Sequence, residues 1–253
     1  MNRVIMGNWK MHTTLSEAED LARDISSRVG RPSKTQVVVC PPFPSLNRVR
    51  EVLSESPVQV GAQDIHWAEE GAFTGEVSAS MVEALGCEYT LVGHSERRVH
   101  REDTVETTAL KLRAALASKL RPVLCVGEGA DHREKDLTGE VVGTQISPIF
   151  FLDSAVVARV MVAYEPVWAI GSGRAATPQD ADEVCGFIRD WIERVHGKSV
   201  ARSVPILYGG SVKPDNVSGF LLQKNVDGVL VGGASLDPEA FASLVRASEG
   251  ARD

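Results

Sequence analysis

Short apolar runs recur along the whole chain, and each run ends on a glycine, a proline or a polar residue. These runs cover residues 4–6, 37–40, 58–60, 91–92, 123–126, 160–164, 206–208 and 229–231. Runs that are apolar at nearly every position and rich in β-branched residues are typical of strands buried on both faces, as in a parallel sheet. The pattern therefore predicts a series of buried parallel strands.

Between these runs, apolar residues recur at helical spacing, and capping residues mark helix starts. The clearest apolar stripe comprises Val184, Phe187, Ile188, Trp191, Ile192 and Val195. Thr177, followed by Pro178 and Asp180, predicts a capped start for that helix. The pairs that predict further helix starts are Thr14 with Glu17, Asp103 with Glu106, and Asp237 with Pro238.

Strand and helix patterns alternate through the whole chain of 253 residues, and no Pro/Ser-rich linker interrupts them. This repeat predicts one α/β domain over residues 1–253, a single (β/α)8 barrel, with an open doubly wound sheet as the alternative fold. In a barrel the carboxyl ends of all strands meet on one rim, where the active site forms. We therefore expect Asn8, Lys10, His94 and Glu165 to converge there.

Glu165 ends the sixth apolar run and is followed by Pro166 and a loop of small residues up to Ala176. A carboxylate at this point is a candidate base, and the loop at 166–176 is a candidate lid that excludes water. The alternative is a structural carboxylate that caps a helix or pairs with a lysine. Residues 171–176 also match the dinucleotide pattern G-x-G-x-x-A, but the helix starts only after the glycines, which argues against a dinucleotide site.

Lys10 and His94 are the other candidate catalytic residues. Lys10 offers a local cation for a phosphate or an oxyanion, while a surface lysine and a Schiff-base lysine are the alternatives. His94 precedes Ser95 and Glu96, which resemble the first turn of a helix. The positive end of a helix lowers the pKa of a histidine, so we expect a neutral imidazole that polarises a carbonyl. A packed or solvated histidine is the alternative.

Glycine pairs follow the last two strand runs, at 209–210 and 232–233. Simple turns explain such pairs, but barrels often bind phosphate here through backbone N–H groups. Ser211 and Gly171 are expected to add donors.

Composition narrows the class of partner. The net charge of −7 argues against nucleic acid and anionic membranes. The four cysteines are widely spaced, and the start of the chain lacks the apolar region of a signal peptide. We expect a cytoplasmic protein without membrane spans. The six histidines show no metal-ligand spacing, so no metal site is expected.

The chain resembles the triosephosphate isomerase family along its whole length. The blocks that carry this resemblance lie at residues 7–11, 71–76, 93–98, 163–171, 208–212 and 230–235. The resemblance implies an isomerase that interconverts dihydroxyacetone phosphate and glyceraldehyde 3-phosphate in glycolysis and gluconeogenesis, without cofactor or metal.

The resemblance also implies roles for individual residues. Glu165 would be the base, His94 the neutral electrophile and Lys10 the cation that stabilises the enediolate, with Glu96 and Ser95 in support. The residues implied in substrate binding are Asn8, Lys10, Gly171, Ser211, Gly232 and Gly233. Phe73, Thr74 and Gly75 resemble the loop that inserts into the second subunit of a homodimer.

The sequence departs from the family pattern at few positions: His12, Ser172, the segment 174–176 and the segment 129–132. Two other functions remain open at this stage. One is a barrel aldolase with Lys10 as a Schiff base, and the other is a non-catalytic phosphate-binding scaffold.

Overall fold

The chain forms a closed barrel of parallel strands, in a computed structural model that describes residues 2–100, 103–169 and 176–250. The strands are β1 (Arg3–Asn8), β2 (Thr35–Cys40), β3 (Gln59–Ala62), β4 (Tyr89–Val92), β5 (Arg121–Val126), β6 (Met161–Tyr164), β7 (Ile206–Tyr208) and β8 (Gly228–Val231). They pair in chain order, and β8 pairs with β1, with Gly228 opposite Val4. The barrel prediction is confirmed, because this last pairing closes the sheet and excludes the open doubly wound alternative.

Helices follow the strands and surround the barrel. They are α1 (Leu15–Val29), α2 (Phe43–Val52), α3 (Ala79–Ala84), α4 (Ser95–Val99), α5 (Val105–Ala117), α6 (Ala130–Arg133), α7 (Thr138–Ile146), α8 (Ser154–Val157), α9 (Pro178–His196), α10 (Lys198–Ser203), α11 (Val217–Leu221) and α12 (Pro238–Gly250). Short 3-10 helices occupy Ser147–Phe151 and Gly233–Leu236. No helix of the described residues is long and apolar enough to cross a membrane.

The strand residues alternate between two packed layers. Val4 and Met6 belong to the cluster inside the barrel, whereas Ile5 packs between the strands and the helices. Both layers are closely filled, as in other barrels, so the barrel is a solid support and its chemistry is confined to the rim. All four cysteines are buried and free, and burial raises the pKa of the Cys87 thiol to about 11.

Three predicted helix starts are confirmed. The Glu17 carboxylate accepts a hydrogen bond from the Thr14 N–H at 2.7 Å. Asp180 accepts one from the Thr177 N–H at 2.9 Å. Asp237 accepts from two N–H groups in the first turn of α12.

Other boundaries differ from the prediction. Asp103 does not cap α5; Thr104 does, because the Asp103 carboxylate is buried against the Lys111 ammonium at 2.6 Å. Strand β3 begins and ends later than the apolar run, since Gly61 and Ala62 continue the sheet. On α9, Val195 is 49% exposed and lies outside the buried face. That face instead consists of Ala181, Val184, Cys185, Ile188 and Ile192.

Candidate active site

The carboxyl ends of the strands bring four scattered polar residues into one cavity of about 680 Å³. Asn8 is the last residue of β1, and Lys10 follows two residues later. His94 lies two residues after β4, and Glu165 directly follows β6. All four line the cavity, as the sequence predicted. The opposite wall consists of residues 209–215 after β7 and residues 231–234 after β8.

Glu165 is buried and held by two contacts. One carboxylate oxygen, Oε1, lies 2.8 Å from His94 Nε2. The other, Oε2, accepts a hydrogen bond from the backbone N–H of Ser95 at 2.8 Å. Ser95 is the first residue of α4, where N–H groups are unpaired and the helix favours negative charge. The carboxylate therefore rests against α4, beside the imidazole.

The imidazole of His94 is oriented from its other side. Its Nδ1 accepts a hydrogen bond from the Glu96 N–H at 3.3 Å, so in the neutral ring the proton lies on Nε2, which faces Glu165. The sequence led us to expect a lowered pKa, and this expectation is wrong. Burial is the largest single cause and lowers the pKa of His94, but the charge and hydrogen bond of Glu165 and the charge of Glu96 together outweigh it, so the net pKa is raised.

Lys10 adopts an unusual backbone conformation, with φ at +52°. A non-glycine residue in this region is strained and must be held by its surroundings. Its N–H donates to Asn8 Oδ1 at 3.0 Å, and its carbonyl accepts a hydrogen bond from Gln63 Nε2 at 2.8 Å. Its ammonium lies 2.7 Å from Glu96 Oε1. These contacts direct the cation into the cavity mouth.

Glu96 thus connects two candidate catalytic groups. Its backbone N–H orients His94, and its carboxylate binds Lys10. Partial burial raises the pKa of Glu96, but the hydrogen bond and the charge of Lys10 more than offset this, and the net pKa is below 4.5. The carboxylate is therefore ionised at neutral pH.

The wall opposite Glu165 offers backbone donors in place of side chains. Among the described residues, no hydrogen bond uses the N–H groups of Ser211, Gly232 or Gly233. A Cβ built on Gly232 would lie 3.6 Å from Lys10 Nζ, so this main chain runs beside the ammonium. Free N–H groups next to a cation suit a phosphate dianion. Gly171 and the centre of the predicted lid, at 170–175, lie outside the described residues.

The described part of the predicted lid, at 166–169, is anchored to the barrel through Glu128. This fully buried carboxylate accepts hydrogen bonds at its Oε1 from the Tyr164 hydroxyl at 3.1 Å and from Trp168 Nε1 at 3.0 Å. Burial raises the pKa of Glu128, although hydrogen bonds oppose the shift. Arg133 stacks on the Trp168 ring, 5.3 Å from its centroid.

Sequence reasoning missed several residues that shape this site. Gln63, Glu128 and Gln145 bind the backbone or the neighbours of the candidate catalytic groups. Lys213 and Leu230 line the cavity. Glutamine carries no charge or periodic pattern, so only the contact itself identifies it.

Comparisons with known proteins agree with this geometry. The sequence model of a protein family described as Triosephosphate isomerase matches residues 3–248. A protein named Triosephosphate isomerase from Caldanaerobacter subterraneus is 46% identical over 243 residues, which cover 96% of this chain and 98% of that protein. A protein of the same name from Rhodopirellula baltica is 45% identical over 249 residues, covering 98% of each chain. A third, from Moorella thermoacetica, is 46% identical over 243 residues, covering 96% of this chain and 97% of that protein.

Proposed function

The chain belongs to the triosephosphate isomerase family, and on that premise we propose that it interconverts dihydroxyacetone phosphate and D-glyceraldehyde 3-phosphate through an enediolate. The observation that carries the proposal is the convergence of Glu165, His94 and Lys10 in one cavity, beside backbone N–H groups that no hydrogen bond of the described residues uses. This reaction belongs to glycolysis and gluconeogenesis. A cytoplasmic location is part of the proposal, because four free buried thiols are typical of a reducing compartment.

Glu165 acts as the base. It removes a proton from the hydroxyl-bearing carbon next to the carbonyl of dihydroxyacetone phosphate, and the electron pair moves to the carbonyl oxygen to form the enediolate. The resulting carboxylic acid returns the proton to the neighbouring carbon, which gives the aldehyde product. His94 donates its Nε2–H to the developing oxyanion and moves the proton between the two oxygens. Lys10 stabilises the same negative charge.

Substrate binding changes the environment of His94. To reach the substrate carbon, the Glu165 carboxylate must leave the Ser95 N–H and the imidazole Nε2. The strongest influence that raises the pKa of His94 then departs. Burial, the largest single cause, and Lys10 continue to lower the pKa, and they are opposed by the charge of Glu96. The ring is therefore neutral when it faces the carbonyl.

The phosphate is held by the N–H groups of Gly232, Gly233 and Ser211. Asn8 orients the main chain of Lys10 by accepting a hydrogen bond from its N–H. Gly171 adds a further donor when the lid at 166–176 closes. Closure excludes water from the enediolate, which protects it from loss of phosphate.

The active form is a homodimer. Phe73, in the loop that also contains Thr74 and Gly75, is 44% exposed, and Met11 beside the active site is 95% exposed. A second cavity of about 590 Å³ lies next to Lys10 and is lined by Met11, Pro42 and Phe43. An exposed apolar loop tip and a recess with an apolar edge suit the insertion of one copy into a second copy. Sedimentation velocity at assay concentration tests this, and an active monomer would contradict it.

The test of function is an assay of purified protein with dihydroxyacetone phosphate and excess chelator, in which glyceraldehyde 3-phosphate is measured by coupled oxidation. We expect rapid, chelator-resistant conversion in both directions. Folded protein that binds the substrate without converting it would support the scaffold instead.

A parallel incubation with borohydride tests the Schiff-base alternative. The Lys10 side chain is 30% exposed and pairs with Glu96, whereas Schiff-base lysines are activated by apolar surroundings or by another cation. We expect no covalent adduct on Lys10, and a trapped adduct would favour the aldolase.

A further inference from the structure

Gln145 binds the peptide chain of Gly127 at two points. Its Oε1 accepts a hydrogen bond from the Gly127 N–H at 2.6 Å, and its Nε2 donates to the Gly127 carbonyl at 3.1 Å. These are the hydrogen bonds that Gly127 makes within the described residues. Gly127 follows β5, where the ladder between β5 and β6 ends at the pair Val126–Tyr164. Gly127 lies one residue beyond this ladder, and Gln145 provides the hydrogen bonds that a neighbouring strand would otherwise provide to it.

Gly127 in turn contacts the backbone of Glu165. The Glu165 N–H donates to the carbonyl of Val126 at 2.7 Å. A Cβ built on Gly127 would lie 1.7 Å from the Glu165 carbonyl oxygen and 3.2 Å from its Cα. The main-chain segments at Gly127 and Glu165 are therefore in direct contact, and only a residue without a side chain, glycine, permits this approach. A shift of Gly127 must move the main chain that carries the candidate base.

The helix that carries Gln145 is itself fixed. Val142 and Ile146, on either side of Gln145 in α7, are fully buried. A Cβ on Gly143 would lie 2.2 Å from the Trp191 ring, so α7 packs closely on α9. Gln145 therefore has a rigid base from which to hold Gly127.

A small cavity of about 220 Å³ lies beside the two hydrogen bonds between Gln145 and Gly127 and indicates why they are needed. Gly127, Gln145 and Glu165 all line this cavity, whereas Lys10 and His94 do not. Side chains do not fill this space, so packing contacts alone do not fix the segment that directly follows β5. The hydrogen bonds from Gln145 supply that restraint.

We propose that Gln145 is a positioning residue for Glu165: its two hydrogen bonds to Gly127 fix the main chain on which the base rests. This inference depends on the proposed function, since it assigns Gln145 to the proton-transfer step. Gln145 is not on the wall formed by Gly232 and Gly233, so it acts on the chemical step and not on phosphate binding.

The test is Gln145→Met, which fills a similar volume and makes neither hydrogen bond. We expect kcat to fall about 10²-fold, the effect of misplacing a reacting group by roughly 1 Å. The KM for dihydroxyacetone phosphate and the affinity for inorganic phosphate should stay within about threefold of the wild type. The matched control is Gln223→Met, which removes a glutamine hydrogen bond to the Gly219 carbonyl. Gln223 lines neither the substrate cavity nor the cavity beside Gln145, so this variant should leave kcat unchanged.

The outcomes separate the two proposals. An inactive wild type defeats the proposed function, whereas an active wild type with a Gln145→Met kcat within threefold defeats this inference alone. Equal losses in kcat and phosphate affinity also defeat it, because they indicate general distortion of the rim. If Gln145→Met does not fold, Gln145→Glu decides: it keeps the acceptor for the Gly127 N–H but loses the donor. An intermediate kcat then supports the two-point restraint, and a wild-type kcat contradicts it.

Discussion

The two walls of the cavity differ in how they present their chemistry. On one wall, Glu165 and His94 are 2% and 7% exposed, and the partners of their polar atoms come from α4 and from each other. On the other wall, Gly233 and Ser211 are exposed, and the groups on offer are backbone N–H groups. Proton transfer requires side chains fixed in distance and protonation state, whereas a phosphate dianion needs only converging donors. The first wall is therefore sensitive to side-chain replacement, and the second is sensitive to added bulk.

The largest effect is expected for Glu165→Gln, which tests whether the first wall depends on its side chains. The amide is of similar size but cannot accept the substrate proton, so kcat should fall about 10²- to 10⁴-fold. Binding of 2-phosphoglycerol, which tests the phosphate wall alone, should persist within about threefold. Steady-state kinetics and calorimetric titration measure the two quantities. Glu165→Asp, which withdraws the carboxylate by one methylene, should also lose most of its activity. A near-normal rate in Glu165→Gln would remove Glu165 from the role of base, whereas a near-normal rate in Glu165→Asp would show that the exact position of the carboxylate is not critical.

Lys10 lies between the two walls, beside Glu96 on one side and Gly232 on the other. Lys10→Met should therefore raise KM and lower kcat together, with a loss in kcat/KM of about 10²- to 10³-fold. The matched control is Lys213→Met, which removes an exposed cation from the same cavity and should change kcat/KM by less than about tenfold. Equal effects of the two variants would show that Lys10 supplies only general positive charge.

Gly233→Ala probes the backbone wall. A Cβ at this position meets no heavy atom within 4 Å, so the fold should be unaffected, but the methyl group occupies space that faces the substrate cavity. We expect KM to rise roughly tenfold, because the methyl group would cost about one hydrogen bond to the charged phosphate, and we expect little change in kcat. Gly250→Ala, which also meets no neighbour, is the control. A lower kcat at unchanged KM would place Gly233 in the chemical step.

The smallest effect is expected for Asp64, whose carboxylate contacts Arg97 on α4 and affects the pH dependence of stability. The Asp64 carboxylate lies 2.9 Å from Arg97 Nε on α4 and 2.8 Å from Lys111 Nζ, near the Asp103 carboxylate. Burial is the main cause that raises the pKa of Asp64, from 3.8 to about 6. Between these values the folded protein holds a proton that the unfolded chain has released. Its free energy of unfolding therefore falls as pH rises, by at most roughly 1.4 kcal/mol per pH unit from this group.

Asp64→Asn should remove that slope, while kcat at neutral pH changes less than about threefold. Urea unfolding at several pH values between 3.8 and about 6 checks it, with the exposed Asp20→Asn as control. An unchanged slope in Asp64→Asn would show that another group causes the dependence.

The sequence carried enough information to locate the strands and the residues at their ends. Because parallel strands of a barrel all end on one rim, Glu165, His94 and Lys10 were expected together although they lie far apart in the chain. Capping residues such as Thr14 and Thr177 were found because their partners are only three residues away.

What the sequence missed depends on long-range contacts. Asp103 looks like a helix cap, and only the fold shows that Lys111 and Asp64 bury it. The raised pKa of His94 comes from Glu165, which is distant in sequence and invisible to an argument from α4 alone. Gln145 has no charge, motif or periodicity to mark it.

The central claim is that Glu165 transfers a proton between two carbons of one substrate. Proton NMR of dihydroxyacetone phosphate in deuterated water, with purified protein and excess chelator, tests this most directly. We predict that the wild type forms glyceraldehyde 3-phosphate and that part of the substrate and product gains carbon-bound deuterium, because the proton held by Glu165 exchanges with solvent in competition with its return to carbon. We predict that Glu165→Gln shows neither exchange nor product, and exchange or product at a wild-type rate in that variant would contradict the account.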